Sequence, residues 1–503
     1  MSFVAAVDHL HALTQELAPD PSAPRRKFDL AHMRILARAL GDPQQQFPSI
    51  LIAGTTGKGS TAATLASILA AAGLRTGLYT SPHLSRVTER IRISSREQES
   101  ANREQQERSP GTCSLFPVPC SLQEIPEEDF ARLYFRVDET AQRLVSAGQL
   151  PHHPSFFESL TALAFLFFAE RELDIAVLEV GMGGRLDATN IVEPVLSVIT
   201  DIALDHQDYL GNTIAEIARE KAGILRPGGT LITLPQHPDA NQAIGVAALA
   251  LDVRAISATP CLPFRDPTQQ LATHLPLTAD HLPLPQNHYD LALEGKILQV
   301  RSPLAGEHQR RNLALAIAAA MELRNTFSYN HVQPNASNLQ PATCNLQLTN
   351  AAIAAGIANT AWPGRLEFLP PNLLLDVAHN PAGAWALRAA IATLPERQPR
   401  TLLFSCLRDK DLTEMSRIIF PLFDATGERP LDHIVFAPIH SPRAASLDSL
   451  LAAAAALDIP AHAAHSPTQA LALARSLTPP GGLIIATGSI YLIGALREAV
   501  LSQ

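Results

Sequence analysis

The amino-acid sequence predicts an α/β protein of two domains, each built on a mostly parallel sheet wrapped by helices. Three observations predict it. The chain has 503 residues, more than one hydrophobic core usually organises. A strand, a glycine-rich turn, a helix and a second strand follow one another between Phe47 and Pro82. From Leu373 to Ala499, short apolar runs alternate with helical patterns, as expected of parallel strands joined by crossover helices.

Residues 1–46 read as two helices, Phe3 to Leu17 and Leu30 to Leu40, separated by the proline-rich Asp20 to Lys27. Ser49 to Ala53 is a short apolar run suited to a strand buried on both faces. Gly54, Gly57 and Gly59 then surround Lys58, and Leu65, Ile68 and Leu69 mark a helix that Gly73 closes. Arg75 to Thr80 is the second strand. Residues 96–125 are polar, unpatterned and proline-containing, and read as a surface insertion. Helices follow over Glu127 to Gly148 and Phe156 to Ala169, strands over Ile175 to Leu178 and Val195 to Thr200, and a helix over Thr213 to Ala222. The stretch 228–304 is richer in proline and alternation and is expected to hold further strands.

The second domain is expected to start near 305, giving domains 1–304 and 305–503. A helix from His308 to Leu323 leads into a second polar insertion, 325–349. Strands Leu373 to Val377, Thr401 to Ser405, Ile434 to Phe436 and Leu483 to Ala486 then alternate with helices. These run over Pro381 to Leu394, Thr413 to Leu422, Leu447 to Ala456 and Tyr491 to Ala499.

Composition is that of an ordinary globular protein, 46% hydrophobic and 17% charged. A formal charge of −9 argues against a nucleic-acid partner. Five scattered cysteines (Cys113, Cys120, Cys261, Cys344, Cys406) indicate neither a disulfide framework nor a zinc site. The N-terminus lacks the apolar run of a signal peptide, and Leu160 to Ala169 is about half of what a membrane span requires. These features predict a cytoplasmic protein with no membrane partner.

The glycine turn lies at the carboxyl end of its strand, where backbone N–H groups and the helix dipole hold phosphate. Lys58 would reach terminal phosphates, and Ser60 or Thr61 would approach Mg²⁺. Ile52 and Gly59 depart from the strict G-x-x-x-x-G-K-[ST] pattern, so a glycine-rich turn with a surface lysine is the competing reading. The later α/β block carries no phosphate loop of its own, which places ATP in a cleft between the domains.

Four polar clusters stand out. Ser81, at a strand end before Pro82, suits a metal or phosphate contact, or a plain turn. Glu179 ends an apolar strand, where a carboxylate is costly unless paired or metal-bound, and Asp187 and Asn190 follow it. His206 stands between Asp205 and Asp208 beyond another strand, and Lys221 lies late in a helix. Arg365 supplies a forked cation, while Asp376, His379 and Asn380 stand where a strand hands over to a helix.

Together with G-T-T-G-K-G-S-T, Y-T-S-P-H-L, L-E-V-G-M-G-G-R-L-D-A-T-N, L-D-H, R-E-K-A-G-I, W-P-G-R-L-E, A-H-N-P, L-R-D-K-D and T-G-S-I-Y-L, these clusters stand in one order. The chain resembles the folylpolyglutamate synthase/dihydrofolate synthase family of the Mur ligase superfamily from about residue 28 to 500. The resemblance implies a P-loop-type ATPase domain followed by a Rossmann-like α/β domain. It implies ATP-dependent joining of L-glutamate to dihydropteroate or a folate poly-γ-glutamate through an acyl phosphate.

By resemblance, Gly57, Lys58, Gly59 and Ser60 hold the ATP phosphates, and Asn312, Arg365 and Asp376 complete the nucleotide contacts. Ser81 and Glu179 are similar to ligands of one Mg²⁺ and His206 to a ligand of a second. Lys221 is similar to a lysine that this superfamily carbamylates. The pterin side is expected at Asp29, Leu30 and Ala31, at Ser155, Phe156, Phe157 and Glu158, and at Leu186, Asp187 and Ala188. His379 and Lys410 are expected around glutamate and the acyl phosphate. Thr56 and Val377 depart from the family pattern. The implied partners are small molecules, and a monomer is expected. Competing readings are a Mur-type cell-wall ligase acting on a UDP-muramoyl substrate and a non-catalytic nucleotide-binding scaffold.

Overall fold

A computed structural model describes residues 2–15, 29–94, 121–264, 284–332, 348–425 and 429–502. The chain divides into two compact units. The first comprises Met1–Leu262, Asp290–Val300 and Arg311–Thr360, and the second Pro263–Tyr289, Arg301–Arg310 and Ala361–Gln503.

In the first unit, helices α1 (Phe3–Gln15) and α2 (Leu30–Ala39) precede strand β1 (Ser49–Ala53), helix α3 (Lys58–Ala71) and strand β2 (Thr76–Tyr79). Strands β3 (Ile91–Ser94) and β4 (Leu122–Glu124) follow, then helices α4 (Glu127–Ser146) and α5 (Phe156–Glu170). Next come β5 (Ile175–Glu179), β6 (Leu196–Ile199), the short α6 (Gln207–Leu210), α7 (Ile214–Ala222), β7 (Thr230–Thr233), α8 (Pro238–Ala250) and β8 (Arg254–Ser257). The sheet order is β4-β3-β2-β5-β1-β6-β7-β8, with β3 and β4 antiparallel at one edge and the remainder parallel. Its central strands β1, β5 and β6 are buried along their whole length, which explains their uninterrupted apolar runs. Phe130, Phe165, Phe167 and Phe168 from α4 and α5 fill the core on one side.

Strands β9 (Gln286–Leu293) and β10 (Lys296–Ala305) form a two-stranded sheet with the alternating burial read in their sequence. Helix α9 (His308–Val332) and helix α10 (Asn350–Ala358) follow. Helix α10 lies against α3 so closely that a Cβ on Gly356 would fall 2.3 Å from the Ile68 Cα. Ser67 Oγ donates to the Gly356 carbonyl at 2.6 Å. With the sheet on one side and α10 on another, α3 is buried from Gly59 to Ala70.

The second unit holds β11 (Glu367–Leu369), β12 (Leu373–Leu375), α11 (Pro381–Ile391), β13 (Arg400–Phe404), α12 (Leu412–Ile419), β14 (His433–Phe436) and α13 (Leu447–Ala455). It ends with β15 (His462–Ala463), α14 (Pro467–Leu477), β16 (Leu483–Thr487) and α15 (Ile490–Leu501). The order is β11-β12-β16-β13-β14-β15, parallel apart from β11. Phe404, Phe420 and Phe436 pack edge to face and tilted at its centre, with centroids 5.2 and 5.6 Å apart for the pairs made by Phe420.

The predicted two-domain α/β class holds, with several local corrections. Helix α9 runs to Val332, so the polar stretch 325–349 begins inside a helix, and residues 333–347 lie outside the described residues. The end of the stretch 96–125 forms β4, which pairs with β3, while 95–120 lie outside the described residues. Asp20 to Lys27, the last two residues of the first predicted helix, Cys113, Cys120 and Cys344 also lie outside them. The stretch 228–304 does hold strands, but also α8, whose alanine-rich face offers little apolar contrast. Arg311 onward in α9 belongs to the first unit, although the sequence reading assigns all of that helix to the second domain.

Candidate active site

In the first unit, the carboxyl ends of β2, β5, β1 and β6 sit side by side, the edge where open parallel sheets bind ligands. The turn after β1 is fastened to the end of β6. Thr55 and Thr56 donate their N–H groups to the Asp201 carbonyl at 2.9 and 3.1 Å, and Thr200 Oγ1 donates to the Thr56 carbonyl at 2.7 Å. Gly57 stands at φ 85° immediately before α3, and a Cβ there would lie 2.1 Å from Asn312 Oδ1. Asn312 is therefore brought against the glycine turn. Its neighbour Arg311 clamps the Asp201 carboxylate with Nε at 2.6 Å and Nη2 at 2.5 Å.

Helix α3 begins without a side-chain cap and without an acidic residue in its first turn. Its first N–H groups are thus left to whatever occupies the turn. Ser60 is buried, and Thr61 Oγ1 is buried without a hydrogen-bond partner. Lys58 is half-buried at the mouth of the turn. The cradle fits a polyphosphate: the uncapped α3 start offers backbone donors, with Lys58 beside them.

Lys221, at the end of α7, is buried and donates from Nζ to the Gly54 carbonyl at 2.7 Å. Burial, reinforced by the nearby charge of Lys58, lowers its pKa from 10.5 to about 7. The late-helix lysine thus points into the glycine turn after β1.

Ser81 and Glu179 are also brought together, with the Ser81 N–H donating to Glu179 Oε2 at 3.1 Å. Glu179 is only 4% exposed at the end of β5. His206 lies beyond β6 at φ 50°, 36% exposed at its side chain, with Nε2 3.9 Å from Asp205 Oδ1. Among the described residues no group of three or more His, Cys, Asp or Glu could by itself hold a metal ion. Ser81 and Glu179 offer oxygen donors, the type Mg²⁺ takes alongside phosphate oxygens and water.

The predicted pterin-side residues fall on three short segments. Asp29 caps α2 by accepting from the Ala31 N–H at 2.8 Å, with Leu30 buried and Ala31 exposed. Ser155 and Glu158 form a capping box at the start of α5, with Glu158 Oε2 2.8 Å from the Ser155 N and 2.7 Å from its Oγ. Phe156 lies under the Arg90 guanidinium at 5.1 Å, and Phe157 is tilted against Tyr79 at 6.0 Å. Asp187 Oδ1 accepts from the Thr189 N–H and hydroxyl at 3.0 and 2.6 Å, and Oδ2 from the Met182 N–H at 2.9 Å. Burial raises its pKa against those donors. Its two oxygens thus tie the Gly181–Gly184 turn to the segment from Leu186 to Thr189.

In the second unit, Asp376 Oδ2 accepts from the Leu366 N–H at 3.1 Å and Oδ1 from the Ala378 N–H at 2.9 Å. Burial raises the Asp376 pKa, and Arg365 opposes that rise. Arg365 in turn acts with burial to lower the pKa of His308 to about 4, which keeps that imidazole neutral. His379 Nδ1 lies 2.8 Å from the Val377 carbonyl, an acceptor, so Nδ1 carries the proton. Asn380 Oδ1 caps α11 through the Gly383 N–H at 2.8 Å. Lys410 stands in the turn between β13 and α12.

Three functional candidates escaped the sequence reading. Ser405 and Ser489, beyond the ends of the paired strands β13 and β16, are each 1% exposed, and their Oγ atoms have no partner. Ser489 precedes α15, which has no side-chain cap and no acid in its first turn. Arg311 is the third, and its only sequence signal is its place beside Asn312.

The Mur ligase middle domain matches residues 133–320, and the Mur ligase glutamate ligase domain matches residues 364–490. The folylpolyglutamate synthase of Lacticaseibacillus casei is 33% identical over 97% of this chain and 98% of its own length. The chain belongs to the folylpolyglutamate synthase/dihydrofolate synthase family. The dihydrofolate synthase/folylpolyglutamate synthase of Mycobacterium tuberculosis is 32% identical over 98% of this chain and 95% of its own. Among solved structures of the family, Mycobacterium tuberculosis folylpolyglutamate synthase complexed with ADP and AMPPCP superposes with a TM-score of 0.76. It is 29% identical and covers 100% of this chain and 99% of that one. E. coli FolC in complex with DHPP and ADP has a TM-score of 0.72 at 25% identity, over 100% and 98% of the two chains.

Proposed function

We propose that this chain is an ATP-dependent amide-forming ligase that joins L-glutamate to a folate or to dihydropteroate. The observation that carries it is the uncapped start of α3, with Lys58 at its mouth and Lys221 and Asn312 on its turn. Relatives solved with ADP, AMPPCP and DHPP support the nucleotide and pteroyl substrates.

In this reading the α3 N–H groups and Lys58 hold the β- and γ-phosphates in line with the pteroyl carboxylate. A carboxylate oxygen attacks the γ-phosphorus, ADP leaves, and the glutamate amine displaces phosphate from the acyl phosphate. Ser81, Glu179 and His206 would hold Mg²⁺, whose charge offsets the repulsion between the anions. Lys221, near half-neutral at pH 7, has the free amine that carbamylation requires, and its carbamate would face the metal side of the turn. The pteroyl group would lie along residues 29–31, 155–158 and 186–188. In the second unit, Arg365 and Asp376 would contact the nucleotide and His379 and Lys410 the glutamate. The buried hydroxyls of Ser405 and Ser489 at the α15 start suit the glutamate carboxylate.

The test is phosphate release with Mg·ATP and L-glutamate plus dihydropteroate, tetrahydrofolate or a UDP-muramoyl substrate. Release with a pteroyl substrate is expected, and the arm that responds defines the preferred acceptor. Release only with the UDP substrate, or with none, rejects the proposal. Lys221→Arg should lose activity that bicarbonate does not restore, since a guanidinium forms no carbamate; turnover at the wild-type rate would reject that role. Among the described residues no helix is long and apolar enough to cross a membrane.

A further inference from the structure

Behind the start of α5 lies a group of side chains that the reaction does not use. Asp138, on α4, is 5% exposed. Its Oδ1 lies 2.9 Å from His153 Nε2, and its Oδ2 accepts from Gln142 Nε2 at 2.8 Å. His9, on α1, brings Nδ1 within 3.8 Å of the same Oδ2. The other ring nitrogen of His153, Nδ1, lies 3.0 Å from the Pro154 carbonyl. His152 Nδ1 lies 3.0 Å from the His153 carbonyl, and the His152 ring meets His32 of α2 edge to face at 5.3 Å. The next residue, Ser155, starts the α5 capping box.

Both neighbours of the His153 ring are acceptors. The ring spans them, with Nε2 toward the carboxylate and Nδ1 toward the carbonyl, and Gln142 Nε2 holds the other oxygen of the same carboxylate. Pro154 has no N–H with which to rearrange the turn.

We propose that His153 is a positioning residue for the pteroyl-side site. Its ring, gripped between Asp138 and the Pro154 carbonyl, fixes residues 153–155. Through the capping box it sets the start of α5, from which Phe156 and Phe157 face Arg90 and Tyr79. This rests on the pteroyl placement proposed above. The groups that tune it are Asp138, Gln142 and Tyr134 from α4, His9 from α1, and His152 with its α2 neighbour His32.

The experiment uses the full-length protein. In steady-state assays His153→Gln should raise KM for the pteroyl substrate by roughly fivefold to tenfold, the effect of one hydrogen bond. The variant should leave kcat and the KM for ATP unchanged, and Asp138→Asn should behave alike. An unchanged pteroyl KM in His153→Gln, or a fall in kcat alone, overturns the proposal. Absence of turnover by the wild type with every pteroyl substrate overturns the functional reading instead.

Discussion

The carboxyl edges of the two sheets are built alike and finished differently. In each, a parallel strand hands over to helices, and most helix starts are closed by their own side chains. Thr213 caps α7 in the first unit, and Asn380, Asp411, Ser446 and Ser466 cap α11 to α14 in the second. Of the uncapped starts at these edges, α3 behind Gly57 and α15 behind Ser489 have no acid in the first turn, unlike α6 behind His206. The first pairs its open N–H groups with a lysine and a glycine turn, which suits a multiply charged phosphate chain. The second pairs them with buried hydroxyls, which suit a single carboxylate. Where a protein leaves donors uncapped at the edge of a parallel sheet, it reserves them for an anion, and the surrounding side chains set its charge.

The comparison breaks most easily at Lys58. Lys58→Ala should lower kcat by about a thousandfold or more, because a phosphate clamp acts in the transition state, with little change in Tm. Wild-type turnover would remove α3 as the phosphate site. Gly57→Ala forces a Cβ into the Asn312 amide at a positive φ. It should cost about a hundredfold in kcat/KM for ATP and about 1–3 kcal/mol in urea unfolding. Ser489→Ala should raise KM for glutamate by roughly tenfold and leave KM for ATP alone; an effect on ATP alone would reassign the α15 start.

The last effect concerns stability. The Lys221 pKa is about 7 in the folded chain against 10.5 ordinarily, so between those values the unfolded state binds more protons. Stability therefore rises with pH across that window, by up to about 1.4 kcal/mol per unit, and the burial cost is fully present below pH 7. Urea midpoints at pH 7, 8 and 9 should show less of this rise in Lys221→Met; equal slopes would contradict the shift.

Much of this was legible beforehand, for identifiable reasons. The β1–turn–α3 unit announces itself because glycine spacing and apolar period coincide, and β12, β13, β14 and β16 because buried strands read as unbroken apolar runs. Helices α8 and α10 were missed because alanine-rich sequence carries weak apolar contrast. At the site, Ser81 and Glu179 were singled out from their places at strand ends, and Lys221 through the family resemblance. The engagement of Glu158 with Ser155, and of Asp187 with Thr189 and Met182, depends on packing that spacing does not encode. The same holds for the buried hydroxyls of Ser405 and Ser489, which are ordinary serines until their neighbours are known.

The Gly356–Ile68 contact joins residues 288 positions apart backbone to backbone, within a unit assembled from separated stretches of chain. A nascent polypeptide that has emerged only as far as Leu262 already contains the whole eight-stranded sheet, yet lacks the helix that covers α3. During translation α3 therefore waits, uncovered, until about residue 360 has left the ribosome. Its apolar flank is then a natural place for a chaperone to hold.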